Sequence, residues 1–210
     1  RDYKVTGVQT CALPIYNTRT FWHKQPVKQT DDYVRNDHSI KKDSDIKLRN
    51  KSYKLPKSLE WITINNNDND KMDMVVKFIN NNYIEDSDGK FRLQYSREYL
   101  QFSTELCIGI VSKKNPNLIV GFISSTIKKY NLNNNIKDIA DINYLCVHKN
   151  LRHKKLAPLL IQEITRKINL LGYFQALYAG TMYLPTPLCD VDRKSTRLNS
   201  SHLVISYAVF

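Results

Sequence analysis

Residues 142–158, INYLCVHKNLRHKKLAP, decide the fold because they join a strand, a basic connection and the start of a helix. The first six residues are largely apolar and β-prone, as expected of a central strand. The connection carries Arg152, Lys154 and Lys155, and Pro158 fits a first helical turn, where backbone N–H groups lack intrahelical partners. Those N–H groups, the helix dipole and the cations all favour an anion. The stretch predicts a phosphate site, with an ordinary basic strand–helix connection as the alternative.

The segment after this stretch predicts a β-α-β unit. An apolar stripe with a spacing of four residues predicts a helix over 157–171, which Gly172 can end. Residues 173–178 read as the next strand, and 139–147 as the strand before the helix. The stripe consists of Leu156, Leu160, Ile164 and Ile168.

The segments before this stretch predict an antiparallel meander. Residues 107–111 and 119–127 are β-rich and flank a turn at 113–117, which indicates a hairpin. Further elements are a turn at 53–56, a strand at 59–64, a helix at 71–83, an acidic loop at 85–89 and a short helix at 96–104. A meander that passes into a β-α-β unit gives an α/β or α+β sheet domain.

The two ends of the chain resemble translated sequencing adapter. Residues 192–210 fit one frame of a common adapter beginning GAT CGG AAG AGC, with an index at Leu203-Val204 that CTT GTA would encode. The reverse complement of that index encodes Tyr3-Lys4, and residues 5–15 fit the opposite adapter strand. The expected organisation is adapter sequence at 1–15 and 192–210, an extended arm at 16–52 and one domain at 53–191.

The charge of the chain suits a polyanionic ligand. The net charge is +12, and the end segments carry +1 and +2 of it, which leaves about +9 between them. Nucleic acid, an acidic membrane and the phosphates of a nucleotide cofactor all fit this excess. A solvated basic surface with no specific partner is the simpler interpretation of charge alone. No run of 18 apolar residues occurs, so we expect no membrane span.

The cysteines indicate a reducing compartment. Cys11 lies in adapter-like sequence, which leaves Cys107, Cys146 and Cys189, an odd number without CxxC spacing. This pattern favours neither a zinc site nor a disulfide framework, and it suggests a cytoplasmic location.

Several groups of residues together resemble the N-myristoyltransferase family. The most specific group is NYLCVH at 143–148, LRHKKLAP at 151–158, IQEITR at 161–166, Gln175-Ala176 and YLPTP at 183–187. The others, in chain order, are Phe21-Trp22 with QPV at 25–27, YKLP at 53–56, and NYIED at 82–86 followed by Phe91-Arg92 and Tyr95-Ser96. The resemblance covers most of residues 20–187.

The resemblance implies a fold and an activity. The fold would be an acetyltransferase-like (GNAT-like) mixed sheet with flanking helices, one half of the two-fold saddle of that family. The N-terminal half binds myristoyl-CoA, and the C-terminal half supplies most of the peptide groove. The implied function is transfer of a myristoyl group from myristoyl-CoA to the N-terminal glycine amine of proteins, by a monomer that needs no metal.

The resemblance also implies roles for individual residues. The backbone of Tyr144 and Leu145 would supply N–H donors to the oxyanion. Residues that would contact acyl-CoA are Thr20, Phe21, Trp22, Tyr144, Leu145, Cys146, Val147, His153, Lys154, Lys155, Leu156 and Ala157. A mobile loop over the peptide would contain Tyr83, Ile84, Glu85, Asp86, Asp88 and Phe91.

Most of these residues also have a simpler interpretation. The segment 144–147 would be ordinary sheet core in any α/β domain, and Phe21-Trp22 could merely fix the arm to the core. The acidic residues at 85–88 are similar to part of a calcium loop, but the ligand spacing is incomplete and a solvated acidic loop is favoured. His148 and His153 fit loop histidines better than bases.

The sequence also departs from the family pattern. His153 stands where a small hydroxyl residue is usual and Lys155 where Arg is usual, which removes a bidentate donor. The chain is shorter than the family between Phe102 and Leu106, and residues 179–181 read AGT instead of TAG. The family uses its own terminal carboxylate as base, and no such group can be assigned here. We therefore expect acyl-CoA binding with poor turnover.

Two other functions fit parts of the pattern. A non-catalytic nucleic-acid-binding domain would explain the charge and the aromatic residues, although no recognisable RNA-binding or zinc motif occurs. A different small acetyltransferase would share the phosphate loop, but it would not explain the arm or the segment 185–187.

Overall fold

A computed structural model describes Val27 and residues 45–85, 92–132, 134–180, 189–195 and 198–209, with the backbone alone at 180, 189–195 and 198–209. The elements are β1 (Leu59–Ile64), α1 (Asn69–Asn82), α2 (Arg97–Ser103), β2 (Leu106–Ser112), β3 (Asn115–Leu132), β4 (Asn135–Val147), a 3₁₀ helix (Lys149–Lys154), α3 (Leu156–Leu170), β5 (Gln175–Gly180), β6 (Cys189–Ser195) and β7 (Leu198–Val209).

The strands form one mixed sheet in the order β1-β2-β3-β4-β5-β7-β6. Strands β1 to β4 are an antiparallel meander, and β5 then pairs parallel to β4 after the α3 crossover. This is the predicted meander passing into a β-α-β unit, and the predicted α/β sheet with flanking helices is confirmed.

Helices cover both faces of the sheet because alternate strand residues point to opposite sides. On one face, Ile108 and Ile110 of β2 pack with the α3 stripe, and the predicted Leu156, Leu160, Ile164 and Ile168 are all fully buried. Each such side chain stabilises the fold by about 1.5–3 kcal/mol. On the other face, Cys107 and Val111 pack against α1.

Local signals account for the helix ends. Asp68 caps α1 by accepting from the Lys71 N–H, so the helix begins at Asn69, two residues before the predicted start. Ser96 caps α2 in the same way through the Tyr99 N–H. Gly172 has φ of 88° directly after α3, which confirms it as the terminator of that helix.

Two predictions about the strands and connections are corrected. Strands β3 and β4 extend to Leu132 and from Asn135, well beyond the predicted 119–127 and 139–147, because main-chain pairing continues through a polar, exposed segment. The predicted turn at 113–117 shortens to two residues. The predicted basic loop after β4 is a 3₁₀ helix, begun by the Leu151 N–H donating to the His148 carbonyl at 2.8 Å.

A buried ion pair fixes the start of the domain to α3. Glu163 and Arg166 are 1% and 7% exposed, and their closest atoms lie 2.6 Å apart. Glu163 also accepts from the Tyr53 backbone N–H at 3.0 Å, and Arg166 donates to the Asn50 carbonyl at 3.0 Å. Burial raises the pKa of Glu163, but the hydrogen bonds from Arg166 and Tyr53 outweigh it, and the net pKa is lowered.

Of the segment that we interpret as adapter at 192–210, residues 192–195 belong to β6 and residues 198–209 form β7. Strand β7 pairs antiparallel with β5, from Gln175↔Val209 to Gly180↔Val204. Its origin stays a prediction. The predicted arm at 16–52 lies mostly outside the described residues, as do 183–187.

Candidate active site

The candidate site centres on a bulge near the end of β4. Phe122 pairs with Cys146 and Ser124 with Asn143, so Tyr144 and Leu145 together face the single residue Ile123. Tyr144 has φ of 56°, in the left-handed region that non-glycine residues rarely adopt. A bulge leaves its extra residue outside the ladder and redirects the strand. Two successive residues of β4 therefore have no register partner on β3.

The pairing of β4 with β5 ends just before this bulge. The parallel register runs from Ala140↔Ala176 to Ile142↔Tyr178. Within the described residues, Tyr144 and Leu145 thus have no register partner on β5 either. They are 8% and 4% exposed, so any backbone donor at this point lies in a largely dry environment. A dry, preorganised pair of N–H groups is what an oxyanion requires.

The side chain of Tyr144 lies in an aromatic cluster on the α1 face of the sheet. Its ring is 5.8 Å from that of Tyr83 and 5.5 Å, edge to face, from that of Tyr95. Its hydroxyl lies 2.9 Å from Oγ of Ser103. Burial raises the pKa of the Tyr144 hydroxyl far above its ordinary value of 10, so the group remains a neutral phenol.

The basic turn and the start of α3 follow the bulge directly. His153, Lys154 and Lys155 are all exposed, and Lys155 has φ of 56° at the entry to α3. No side chain caps this helix N-terminus, and its first backbone N–H groups have no intrahelical acceptor. The exposed Lys154 and Lys155 therefore directly precede a helix N-terminus suited to phosphate.

Leu156 and Ala157 take different positions at this helix N-terminus. The Leu156 side chain is fully buried in the α3 core, so only its backbone could contact a phosphate. Ala157 is partly buried at the second helical position. Residues 153–157 thus follow residues 144–147 through one 3₁₀ helix, and their shared role in binding stays a prediction.

The end of α1 is joined to the basic turn by hydrogen bonds. The Asn82 side-chain oxygen accepts from the Lys149 N–H at 3.2 Å, and the Asn82 carbonyl accepts from Arg152 at 2.9 Å. Glu85 accepts from Lys149 at 2.6 Å and from Arg92 at 2.8 Å. The hydrogen bond from Lys149 is the main cause that lowers the pKa of Glu85. The predicted peptide-loop segment therefore begins against the predicted phosphate turn.

Other predicted site residues lie outside the described residues. These are Thr20, Phe21, Trp22, Asp86, Asp88 and Phe91. Of the predicted peptide-loop residues, the structure describes Tyr83, Ile84 and Glu85, all partly buried.

Sequence reasoning missed several residues of this site. Ser103 and Tyr95 meet Tyr144 from α2 and from the segment before it, and no local pattern marks such long-range contacts. Lys149 and Asn82 join two segments that are distant in sequence. For Lys149, the available signal was its positive charge, because it lies close in sequence to Arg152, Lys154 and Lys155 of the predicted phosphate site.

The part of the chain that the structure describes contains no group of three or more His, Cys, Asp or Glu residues able to hold a metal ion. None of its helices combines the length and apolar character that a membrane crossing needs. Cys107 and Cys146 are both buried.

Comparison with known proteins identifies a family. Residues 39–191 match the family described as myristoyl-CoA:protein N-myristoyltransferase, N-terminal domain. The chain is 38% identical over 192 residues to glycylpeptide N-tetradecanoyltransferase of Drosophila melanogaster, a match that covers 88% of this chain and 40% of the relative. It is 39% identical over 195 residues to the Plasmodium falciparum enzyme, covering 88% and 47%. The chain therefore spans two fifths to one half of the length of these relatives.

Solved structures show the same fold. A Saccharomyces cerevisiae N-myristoyltransferase with bound myristoyl-CoA superimposes with a TM-score of 0.72 at 32% identity, covering 82% of this chain and 40% of that one. An acetyltransferase of the GNAT family from Streptococcus pneumoniae superimposes with a TM-score of 0.53 at 11% identity, covering 72% and 99%. The second likeness concerns the fold alone.

Proposed function

Since this chain belongs to the myristoyl-CoA:protein N-myristoyltransferase family through its N-terminal domain, we propose that it binds myristoyl-CoA and that the whole protein myristoylates N-terminal glycines. The observation that carries the proposal is the bulge at Tyr144 and Leu145, directly followed by an exposed basic turn and a helix N-terminus. Acyl transfer from a CoA thioester needs both features close together, one for the oxyanion and one for the phosphates.

The oxyanion role falls to the strand backbone. In the reaction, the neutral glycine amine attacks the thioester carbonyl carbon, and negative charge develops on the carbonyl oxygen. The N–H groups of Tyr144 and Leu145 donate to that oxygen, and their burial strengthens the interaction. When the carbonyl re-forms, the C–S bond breaks, CoA leaves as the thiolate and the amine nitrogen loses its proton to a base.

The phosphate role falls to the basic turn and α3. His153, Lys154 and Lys155 and the backbone N–H groups of Leu156 and Ala157 contact the CoA phosphates. Because the side chains of Lys154 and Lys155 are exposed, each lysine contributes modestly to affinity. Cys146 and Val147 continue β4 between the two sites and border the acyl thioester, while Thr20, Phe21 and Trp22 line the CoA and the acyl chain.

The peptide substrate approaches from the side of α1. Tyr83, Ile84 and Glu85, with Asp86, Asp88 and Phe91, form the loop that covers the N-terminal glycine segment. We assign the protein as a monomer that takes myristoyl-CoA and glycine-initiated peptides, with neither nucleic acid nor a metal. The three cysteines outside the adapter-like ends are an odd number without CxxC spacing, which supports a cytoplasmic location.

Turnover by this 210-residue chain alone is expected to be poor. It spans two fifths to one half of its relatives, and the family resemblance assigns most of the peptide groove and the base to the C-terminal half. Binding is therefore the property that tests the proposal.

The deciding experiment is calorimetric titration of the 210-residue chain with myristoyl-CoA, with CoA and with a single-stranded RNA. We expect saturable binding of myristoyl-CoA, weaker binding of CoA and no RNA binding at physiological salt. RNA binding that falls steeply with salt, without acyl-CoA binding, would contradict the proposal.

A further inference from the structure

We infer that the hydroxyl pair of Ser103 and Tyr144 holds the β4 bulge in the conformation that aims its N–H donors, which makes Ser103 a positioning residue for acyl transfer. The inference rests on the proposed function, because the bulge matters only if its donors meet a thioester. The two hydroxyl oxygens lie 2.9 Å apart and belong to residues 41 positions apart in the sequence.

The bulge needs an external support because its backbone is strained. Tyr144 is not glycine, yet it has φ of 56°. Its main chain has no register partner on β3 or, within the described residues, on β5. Strained conformations of this kind persist only where the surroundings fix them. The side chain of Tyr144 supplies one such fixing contact through its hydroxyl.

Ser103 offers a firm anchor for that side chain. It is the last residue of α2, and its carbonyl accepts from Thr126 Oγ1 of β3 at 3.0 Å. The next residue, Thr104, is 1% exposed, and its hydroxyl donates to the Leu100 carbonyl at 2.7 Å. The end of α2 is thus tied to the sheet, so the hydroxyl pair connects the bulge to a fixed point.

The directions of the hydrogen bonds agree with this arrangement. Burial keeps the Tyr144 hydroxyl protonated, so it can donate. Ser103 Oγ lies 3.4 Å from the Leu100 carbonyl, to which it can donate while accepting from Tyr144. The contacts with the rings of Tyr83 and Tyr95 restrict the same side chain from the sides. Loss of either hydroxyl leaves the rings in place but removes the directional contact.

The test measures polarisation of the bound thioester, which does not depend on turnover. Myristoyl-CoA with a ¹³C-labelled thioester carbonyl is bound to the 210-residue chain, and isotope-edited infrared spectroscopy records the carbonyl stretch. Aimed N–H donors lower that frequency relative to the value in water. The variants are Ser103→Ala and Tyr144→Phe. The control is Tyr130→Phe, which removes a phenol hydroxyl near the C-terminal end of β3, away from the bulge.

We expect Ser103→Ala and Tyr144→Phe to lose most of the frequency shift, while the dissociation constant of Ser103→Ala stays within about twofold of the wild type. The double variant should be no worse than either single variant, because both remove the same contact. Ser103→Thr, which keeps a hydroxyl, should retain the shift, and Tyr130→Phe should leave it unchanged.

Contrary outcomes distinguish failure of the positioning role of Ser103 from failure of the proposed function. If the carbonyl frequency shifts in the wild type and shifts equally in Ser103→Ala and Tyr144→Phe, the positioning role alone is overturned. A wild type that does not bind overturns the proposed function and this inference with it, whereas a wild type that binds without a frequency shift overturns the inference alone. Circular dichroism identifies a variant that fails to fold, and the other single variant, on a different element, then decides.

Discussion

Nζ of Lys149 lies 2.6 Å from Oε2 of Glu85, so an ion pair joins the basic turn after β4 to the segment that follows α1. Arg92 contacts the same carboxylate at 2.8 Å, and the Glu85 side chain is only 14% exposed. One carboxylate therefore holds two cations and fixes the start of the proposed peptide loop against the proposed phosphate turn.

Substitution Glu85→Gln should lower stability by about 1 kcal/mol at neutral pH, because two ion pairs at a partly exposed site are lost. The folded-state pKa of Glu85 lies below its ordinary value of 4.5, with the Lys149 hydrogen bond as the main cause. The stabilisation is therefore fully present above pH 4.5 and is lost as the pH falls through the folded-state pKa.

Urea unfolding between pH 7 and pH 3 checks this prediction, with exposed Glu60→Gln on β1 as the control. The difference between wild type and Glu85→Gln should shrink in acid. A difference that stays constant down to pH 3 would mean that the carboxylate is not stabilised by these cations.

Substitution of both Lys154 and Lys155 by Ala should weaken myristoyl-CoA binding about tenfold to a hundredfold at low salt. Charge-assisted hydrogen bonds are worth roughly 1.5–3 kcal/mol each, and exposure reduces this. The loss should shrink in high salt, since screening already weakens the wild-type contacts. The fold should survive, because both side chains are exposed.

Calorimetry with a charge-matched control measures this effect. Lys129→Ala with Lys137→Ala removes two exposed cations from the β3–β4 hairpin, near the opposite end of β4, and should change the affinity little. Equal losses in both double variants would indicate a general charge effect, and no loss in either would place the phosphates elsewhere.

Substitution Arg166→Met should destabilise the domain by about 3–5 kcal/mol, because it leaves the Glu163 carboxylate buried without its cation. The melting temperature should fall by roughly ten degrees for a chain of this size. Lys167→Met, one position along α3, is the control. A fall no larger than that of the control would show that water reaches Glu163.

Removal of residues 1–15 and 192–210 should change the melting temperature by less than about 4 °C, which corresponds to roughly 1 kcal/mol. The buried apolar side chains that the structure describes lie between Val27 and Ala176, and the family match ends at 191. The deletion is a stringent test of this interpretation, because it removes β7 and exposes the edge of β5 with which β7 pairs. A loss of many degrees would contradict the adapter interpretation of these segments.

The fold was largely predictable because the apolar periodicity is strong in the segments whose side chains are buried in the core. The spacing of Leu156, Leu160, Ile164 and Ile168 predicted α3, and all four are fully buried. The extended hairpin of β3 and β4 was not predictable, because both strands are polar toward their tip and are held by main-chain pairing there.

The site was predictable in position but not in geometry. The motif at 142–158 located it, and its positive charges indicated phosphate. The left-handed position of the bulge holds neither glycine nor asparagine, the residues that most often adopt a positive φ, but Tyr144, an ordinary strand residue. The contacts of Ser103 with Tyr144 and of Glu163 with Tyr53 depend on packing between distant segments, which a single sequence does not encode locally.

The central claim, that the β4 bulge and the start of α3 form one acyl-CoA site, is tested most directly by backbone amide NMR of the ¹⁵N-labelled 210-residue chain. CoA alone should perturb the amide signals of residues 153–157, and myristoyl-CoA should perturb these together with Tyr144 and Leu145. The signals of the hairpin at 128–138 should stay unchanged with both ligands. Perturbations that miss Tyr144 and Leu145 when myristoyl-CoA is saturating would contradict the account.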